Sequence, residues 1–238
     1  MPAGKRYRTA QELVPEGEKF GVDAAVDLVK KTATAKFDES VDVSVRLGVD
    51  PKQADQMVRG ALSLPHGSGK TVRVIVFADG DAARAAQEAG ADVVGGDDLI
   101  KKVDDGWVDF DKAIAVRNLM AKVGKLGRVL GPRGLMPNPK TGTVVGAEQI
   151  AEAVREVKGG RIDFKVEKAG IIQVSIGKAS MEAPHLKANL LALMELIVKL
   201  KPSTAKGTYV RSVSVSSTMG PGVRIDPNEV VRLSEDVR

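Results

Sequence analysis

Val72-Arg73-Val74-Ile75-Val76-Phe77, then the alanine-rich stretch 81–89, Gly90 and Ala91-Asp92-Val93-Val94, decide the fold of the middle of this chain. The first segment is a short, nearly continuous apolar run, as a strand buried on both faces requires. The second is helix-prone, and the third is a short strand. A further helical piece lies near 97–103, and Ala113–Val116 reads as a third strand. Strands alternating with helices predict βαβ units on a parallel sheet. A long Gly/Pro loop is expected over 124–146, followed by a helix with Ile150, Ala153, Val154 and Val157 on one face.

Two strong breaks bracket this block. Leu64-Pro65-His66-Gly67-Ser68-Gly69-Lys70 precedes it and Lys158-Gly159-Gly160-Arg161 ends it. Before the first break, Val22, Val26 and Val29 have helical spacing. Val41, Val43, Val45, Leu47 and Val49 then alternate with polar residues, as in a half-buried strand, and a second strand is expected near 57–64. After the second break come strands near 161–167 and 171–176, joined at Lys168-Ala169-Gly170. A long helix near 184–200 and an alternating strand over 208–217 follow. Neither outer piece obviously buries a core alone. The expected organisation is two outer pieces that pack together around an inserted middle block.

A chain of 238 residues without cysteine has room for one or two domains. Disulfides, thiolate nucleophiles and cysteine zinc clusters are excluded. His66 and His185 are the only histidines, far apart in sequence, so no metal site is expected. No apolar run approaches the ~18–20 residues of a membrane span, and the basic start lacks the apolar stretch of a secretory signal. A cytoplasmic protein is expected.

The net charge is +5, but its distribution says more. Residues 79–111 carry ten acids and three bases, whereas 112–147 carry seven bases and 196–225 five, both without an acid. Such segments suit an anionic partner, or they balance one another across the fold. With aromatics at 3%, a nucleic-acid partner would be met through phosphates, shape and 2′-hydroxyls rather than rows of stacking rings.

Gly67-Ser68-Gly69-Lys70-Thr71 resembles the end of a phosphate-binding loop, but Leu64 stands where that motif needs glycine. A nucleotide-binding enzyme built on the middle βαβ block, with Lys70 on the phosphates, is the alternative carried forward. No carboxylates form a readable acid/base pair. Ser214, Ser216, Ser217, Thr218, Met219 and Gly220 offer hydroxyls, a flexible apolar contact and a close backbone approach, suited to an RNA minor groove.

Gly124-Lys125-Leu126-Gly127-Arg128-Val129-Leu130-Gly131-Pro132-Arg133-Gly134-Leu135-Met136-Pro137-Asn138-Pro139-Lys140 closely resembles the signature of the bacterial ribosomal protein L-one family, that of the mobile side stalk. Ala35-Lys36-Phe37-Asp38-Glu39, Asp55-Gln56-Met57-Val58-Arg59-Gly60, Ser63-Leu64-Pro65-His66-Gly67 and Val213–Pro221 resemble the same family in the same order.

The resemblance implies two α/β domains. The first, a discontinuous split β-α-β sandwich of residues 1–67 plus 160–238, is the main rRNA-binding domain. The second, residues 68–159, is inserted and Rossmann-like. It implies a non-enzymatic protein without cofactor that is monomeric when free. The resemblance further implies binding to the stalk junction of 23S rRNA, help in releasing deacylated tRNA from the exit site, and repression of its own operon through its mRNA. Carried onto this chain, the RNA surface comprises Lys36, Phe37, Ser40, Glu167, Lys168, Ser212, Ser217, Thr218, Met219 and Gly220. Lys125, Arg128 and Arg133 are expected on an accessory or tRNA-facing surface. Gly67, Gly69, Gly159 and Gly160 are the expected hinge. The segment after Arg224 has no assigned role.

Overall fold

The computed structural model describes residues 4–15 and 17–236. The chain divides into two compact units, Met1–Lys70 with Ile162–Arg238, and Thr71–Arg161.

The outer unit begins with α1 (Lys5–Glu12) and α2 (Val22–Thr32). On α2, Val22, Ala25, Val26, Val29 and Thr32 are buried, the three-and-four spacing of one apolar face. In β1 (Ser40–Leu47) the residues Val41, Val43, Val45 and Leu47 face the core, and Ser40, Asp42, Ser44 and Arg46 face away. A short β2 (Arg59–Ser63) leads to the inserted unit.

That unit contains β3 (Val74–Phe77), α3 (Gly80–Glu88), β4 (Val93–Gly95), α4 (Asp97–Asp104) and β5 (Lys112–Val116). Then follow α5 (Met120–Val123), α6 (Gly127–Leu130), β6 (Val144–Val145) and α7 (Ile150–Lys158). Its sheet is parallel, in the order β4-β3-β5-β6. The apolar run of β3 feeds two cores because side chains alternate across the sheet. Val74 and Val76 pack with Ala82 and Ala86 of α3 and with Ile150, Val154 and Val157 of α7. Ile75 and Phe77 pack on the opposite face with Leu99, Val103, Leu119, Val123, Leu126 and Leu130.

The last two groups correct the sequence reading. The expected loop over 124–146 is helical in its first part, since 3₁₀ turns at Arg117–Leu119 and Gly124–Leu126 join α5 and α6 into a nearly continuous coil. Leu119, Val123, Leu126 and Leu130 recur at helical spacing and are all buried. Gly124, Gly127 and Gly131 conceal the pattern because glycine disfavours helix interiors. Apolar burial overrides that preference. The rest, 131–146, is loop apart from a 3₁₀ turn at Pro139–Thr141 and the two-residue β6, which the sequence reading did not anticipate.

The chain re-enters the outer unit through β7 (Arg161–Lys165). There follow β8 (Ile171–Lys178), α8 (Ala183–Lys199), β9 (Val210–Ser217), β10 (Val223–Ile225) and α9 (Pro227–Asp236). The main sheet is antiparallel, in the order β10-β9-β1-β8. Its core side packs against Val26 and Val29 of α2 and Leu186, Leu190, Leu193 and Ile197 of α8. β7 does not pair with β8 although a tight turn joins them. It pairs with β2 in a separate two-stranded sheet. The segment after Arg224 has a structural role. β10 extends the sheet, Phe20 bridges to Ile225, and α9 buries Val230 completely.

Candidate nucleic-acid interface

The 35–40 loop and the exit of β9 meet at one end of the main sheet. The Ser40 amide donates to Thr218 Oγ1 at 2.9 Å, and the Thr218 amide donates to the Ser40 carbonyl at 3.0 Å. Glu39, only 2% exposed, ties the two segments together. Its Oε1 accepts from the Ala35 amide at 2.7 Å and its Oε2 from the Met219 amide at 2.9 Å. Burial pulls this carboxyl upward. The Met219 and Ala35 amides, the nearby Ser217 hydroxyl and the Arg6 charge outweigh it and hold the group below the ordinary value of 4.5. The loop is fixed from its other side too. Asp38 accepts from the Ser180 amide and hydroxyl at 3.1 and 2.8 Å, and Lys178 Nζ donates to the Asp38 carbonyl and Ser40 Oγ, both at 3.2 Å.

This polar bracing presents apolar groups to solvent. Phe37 is 55% exposed and Met219 50%, with Lys36 exposed beside Phe37. Gly220 leaves room for Ser217 Oγ, which an added Cβ would approach to 2.5 Å and force to turn. Ser217 itself faces inward at 2% exposure. Its hydroxyl lies beside the Glu39 carboxylate without the geometry of a hydrogen bond, so the direct RNA contact expected of Ser217 has no surface to act from. It sits on the core side of β9 because successive strand residues alternate faces.

The remaining candidates lie at the opposite end of the sheet. Ser212 is exposed and pairs with Arg46 of β1, six strand residues from Ser40, or about 20 Å at the usual strand rise. Glu167 and Lys168 are exposed in the turn before β8, closed by Glu167 N–H to Ile171 O and Gly170 N–H to Glu167 O, both 2.9 Å. They border a groove of about 1030 Å³ shared with Pro51 and Met57. Between the two ends run Asp42, Ser44, Ser214, Ser216 and Gln173, a polar sheet face that no sequence argument had assembled. Glu39 was also missed, because its partners lie up to 180 residues away.

In the inserted unit Lys125, Arg128 and Arg133 are exposed, and none has an ion-pair partner among the described residues. Of this basic stretch, Lys122 does reach the acidic segment, at 2.7 Å from Asp97. That hydrogen bond, followed by the Asp97 and Asp79 charges, raises the Lys122 ammonium above its ordinary range despite some opposing desolvation.

The enzyme alternative does not survive the geometry. No helix follows Gly67–Lys70, as a phosphate-binding loop requires. The segment is pinned instead. Asn189, fully buried, accepts from the His66 amide at 3.1 Å and donates to the Gly67 and Ile176 carbonyls at 2.9 and 2.8 Å. At the carboxyl ends of β3 and β4, where such sheets bind nucleotides, stand Asp79 and Asp97, which repel phosphate. The two histidines are brought together, ring on ring at 4.0 Å. Of the expected hinge glycines, Gly67, Gly69 and Gly160 have positive φ (67°, 66° and 99°). Gly159 instead caps α7, donating to the Arg155 carbonyl at 2.7 Å.

Among the described residues no helix is long and apolar enough to cross a membrane. The profile of the Ribosomal protein L1p/L10e family matches residues 29–221. The "Large ribosomal subunit protein uL1" of Nocardioides sp. is 54% identical over 228 residues, which are 96% of this chain and 94% of that protein. With the signature segments spread over both units, and both matches covering most of its length, the chain belongs to the Ribosomal protein L1p/L10e family.

Proposed function

We propose that the chain binds the side-stalk junction of 23S rRNA through the braced edge at Ala35–Ser40 and Ser217–Gly220. Family membership makes it a structural constituent of the large ribosomal subunit and not an enzyme. The observation that carries the interface is the Glu39 clamp, which holds Phe37, Thr218 and Met219 on one rigid edge. A preorganised surface loses little conformational entropy on binding, which suits recognition of a folded RNA shape. Phe37 supplies a stacking face, Met219 an adaptable apolar contact, and Thr218 with the polar sheet face the hydroxyls that meet 2′-OH groups. Ser212, Glu167 and Lys168 extend the contact along the sheet.

An mRNA that folds into the same shape competes for this edge, which is how the protein would repress its own operon. Lys125, Arg128 and Arg133 form the surface for exit-site tRNA. Their unpaired charge supports this second role. Gly69 and Gly160, beyond the part of the crossing that Asn189 holds, serve as the flexible points between the units.

The test is a gel-shift titration of a stalk rRNA fragment with wild type and with Phe37→Ala/Met219→Ala. Both side chains are largely exposed, so the variant folds normally. Loss of tight binding is expected. Unchanged affinity would move the interface elsewhere.

A further inference from the structure

The chain has no cysteine and seven methionines, so methionine is the side chain that a peroxide oxidises most readily. The methionines are not equally reachable. Met194 is fully buried in the core of the outer unit. Met57 and Met181 pack against that core, and Met120 and Met136 pack with Phe77 on one face of the inserted sheet. Among the described residues Met219 is the only exposed methionine. Accessibility therefore singles out a residue on the braced edge.

The geometry there decides what an added oxygen does. A methionine sulfoxide is polar and chiral where the thioether was apolar and adaptable. Its oxygen accepts hydrogen bonds, and once covered it needs a donor. The backbone of the edge has none to spare. The Met219 and Ala35 amides donate to Glu39, and the Ser40 amide donates to Thr218 Oγ1. The Thr218 amide donates to the Ser40 carbonyl and the Gly220 amide to the Ser217 carbonyl. The same bonds hold the backbone at Met219 in place, so the new group is not swung aside. In the free chain water solvates the oxygen and the fold is kept. Under a bound RNA that water is lost.

We propose that Met219 is a reversible oxidation site through which a peroxide switches off RNA binding by the free chain. This rests on the reading of the braced edge as the rRNA site. The sulfur lone pair attacks one oxygen of hydrogen peroxide and the O–O bond breaks. The attacked oxygen gives up its proton, and the departing hydroxide takes it up as water. The sulfur is oxidised by two electrons and the peroxide is reduced by two. A chain already seated on RNA has Met219 covered and is spared, so the switch acts on unbound copies.

The experiment treats full-length wild type and Met219→Leu with graded hydrogen peroxide, free and with the stalk rRNA fragment bound. Peptide mapping by mass spectrometry locates the oxidised residues, and a gel-shift titration follows each dose. Met219 is expected to oxidise first in the free chain and to be protected in the complex. The oxidised wild type is expected to lose roughly tenfold in affinity, the scale of covering one polar group without a partner. Its melting midpoint stays at that of the untreated protein, and a methionine sulfoxide reductase restores binding. The affinity of Met219→Leu, whatever its level, is expected to be the same before and after peroxide. Earlier oxidation of another methionine overturns the proposal. So does unchanged affinity once Met219 is oxidised, or an equal peroxide-induced loss in Met219→Leu. Each of these leaves the braced edge standing as the rRNA site. Equal oxidation of Met219 with and without bound RNA overturns both readings, as does failure of folded, untreated wild type to bind.

Discussion

The braced edge of the outer unit and the glycine-laced coil at 117–130 of the inserted unit solve the same problem in opposite ways. Both hold the proposed contact residues in place outside the regular strands. The edge does so with polar bonds. One carboxylate takes two amides from segments distant in sequence, and the apolar groups Phe37 and Met219 face out. The coil does so with apolar packing, burying Leu119, Val123, Leu126 and Leu130 and leaving cations outside. The edge we propose for rRNA has its backbone fixed by hydrogen bonds, whereas the surface we propose for tRNA rests on packed helical turns that leave its cations at the surface.

The largest effect should come from breaking the coil. Leu130 is fully buried, and Leu130→Ala should cost about 2–5 kcal/mol. Calorimetry should show the loss, while affinity for the stalk fragment stays near wild type. A comparable loss of affinity would mean that the two regions do not act separately.

Breaking the clamp comes next. Glu39→Ala leaves the Ala35 and Met219 amides without their acceptor, at about 2–4 kcal/mol in all. Here stability and RNA affinity should fall together. The clamp also has a pH signature. The native carboxyl lies below 4.5, so its contribution is fully present above about pH 4.5 and is lost as pH falls through the lower native value. Denaturant titrations from neutral to acid pH should show wild type and Glu39→Gln converging in acid.

Phe37→Ala sharpens the contrast, since binding should weaken by about 1–3 kcal/mol, the worth of a base stacked on an aromatic ring. Its unfolding midpoint should stay near wild type because the ring is largely exposed. The smallest effect is expected of Lys125→Gln/Arg128→Gln/Arg133→Gln. Stability and stalk-fragment affinity should be unchanged, and only the salt-dependent binding of deacylated tRNA should drop. An unaffected tRNA titration would remove the second surface.

What was legible in the sequence was whatever repeats at short range. The alternation of Val41 to Leu47, the run of β3 and the apolar stripe of α8 each carry their own period. The 117–130 coil has the same kind of period, masked by Gly124, Gly127 and Gly131. The pairing of β2 with β7 depends on partners far along the chain, whereas β10 pairs with its neighbour β9 over three residues, too short a run to show a period. The site divides the same way. As proposed contacts, Phe37, Thr218 and Met219 come from segments that resemble the family, whereas Glu39 acts through amides that no local pattern reveals. Asn189 did leave a signal, as a polar residue set in the apolar stripe beside Leu186 and Leu190. Such a residue implies buried backbone to satisfy.

The ladder between β2 and β7 has a consequence for how the chain reaches its native state. These two strands are the exit from the outer unit and the return to it, and they lie side by side. The bond from the Val166 amide to the Val58 carbonyl joins the start of one to the end of the other, so they run antiparallel. The outer unit cannot close its sheet until segments separated by about ninety residues meet, and the entropy of closing so long a loop is paid before any contact rewards it. If the inserted unit collapses first on its own local contacts, that loop is shortened before the two halves search for each other. Order of synthesis favours the same route, because the insert emerges before the second half of its host exists.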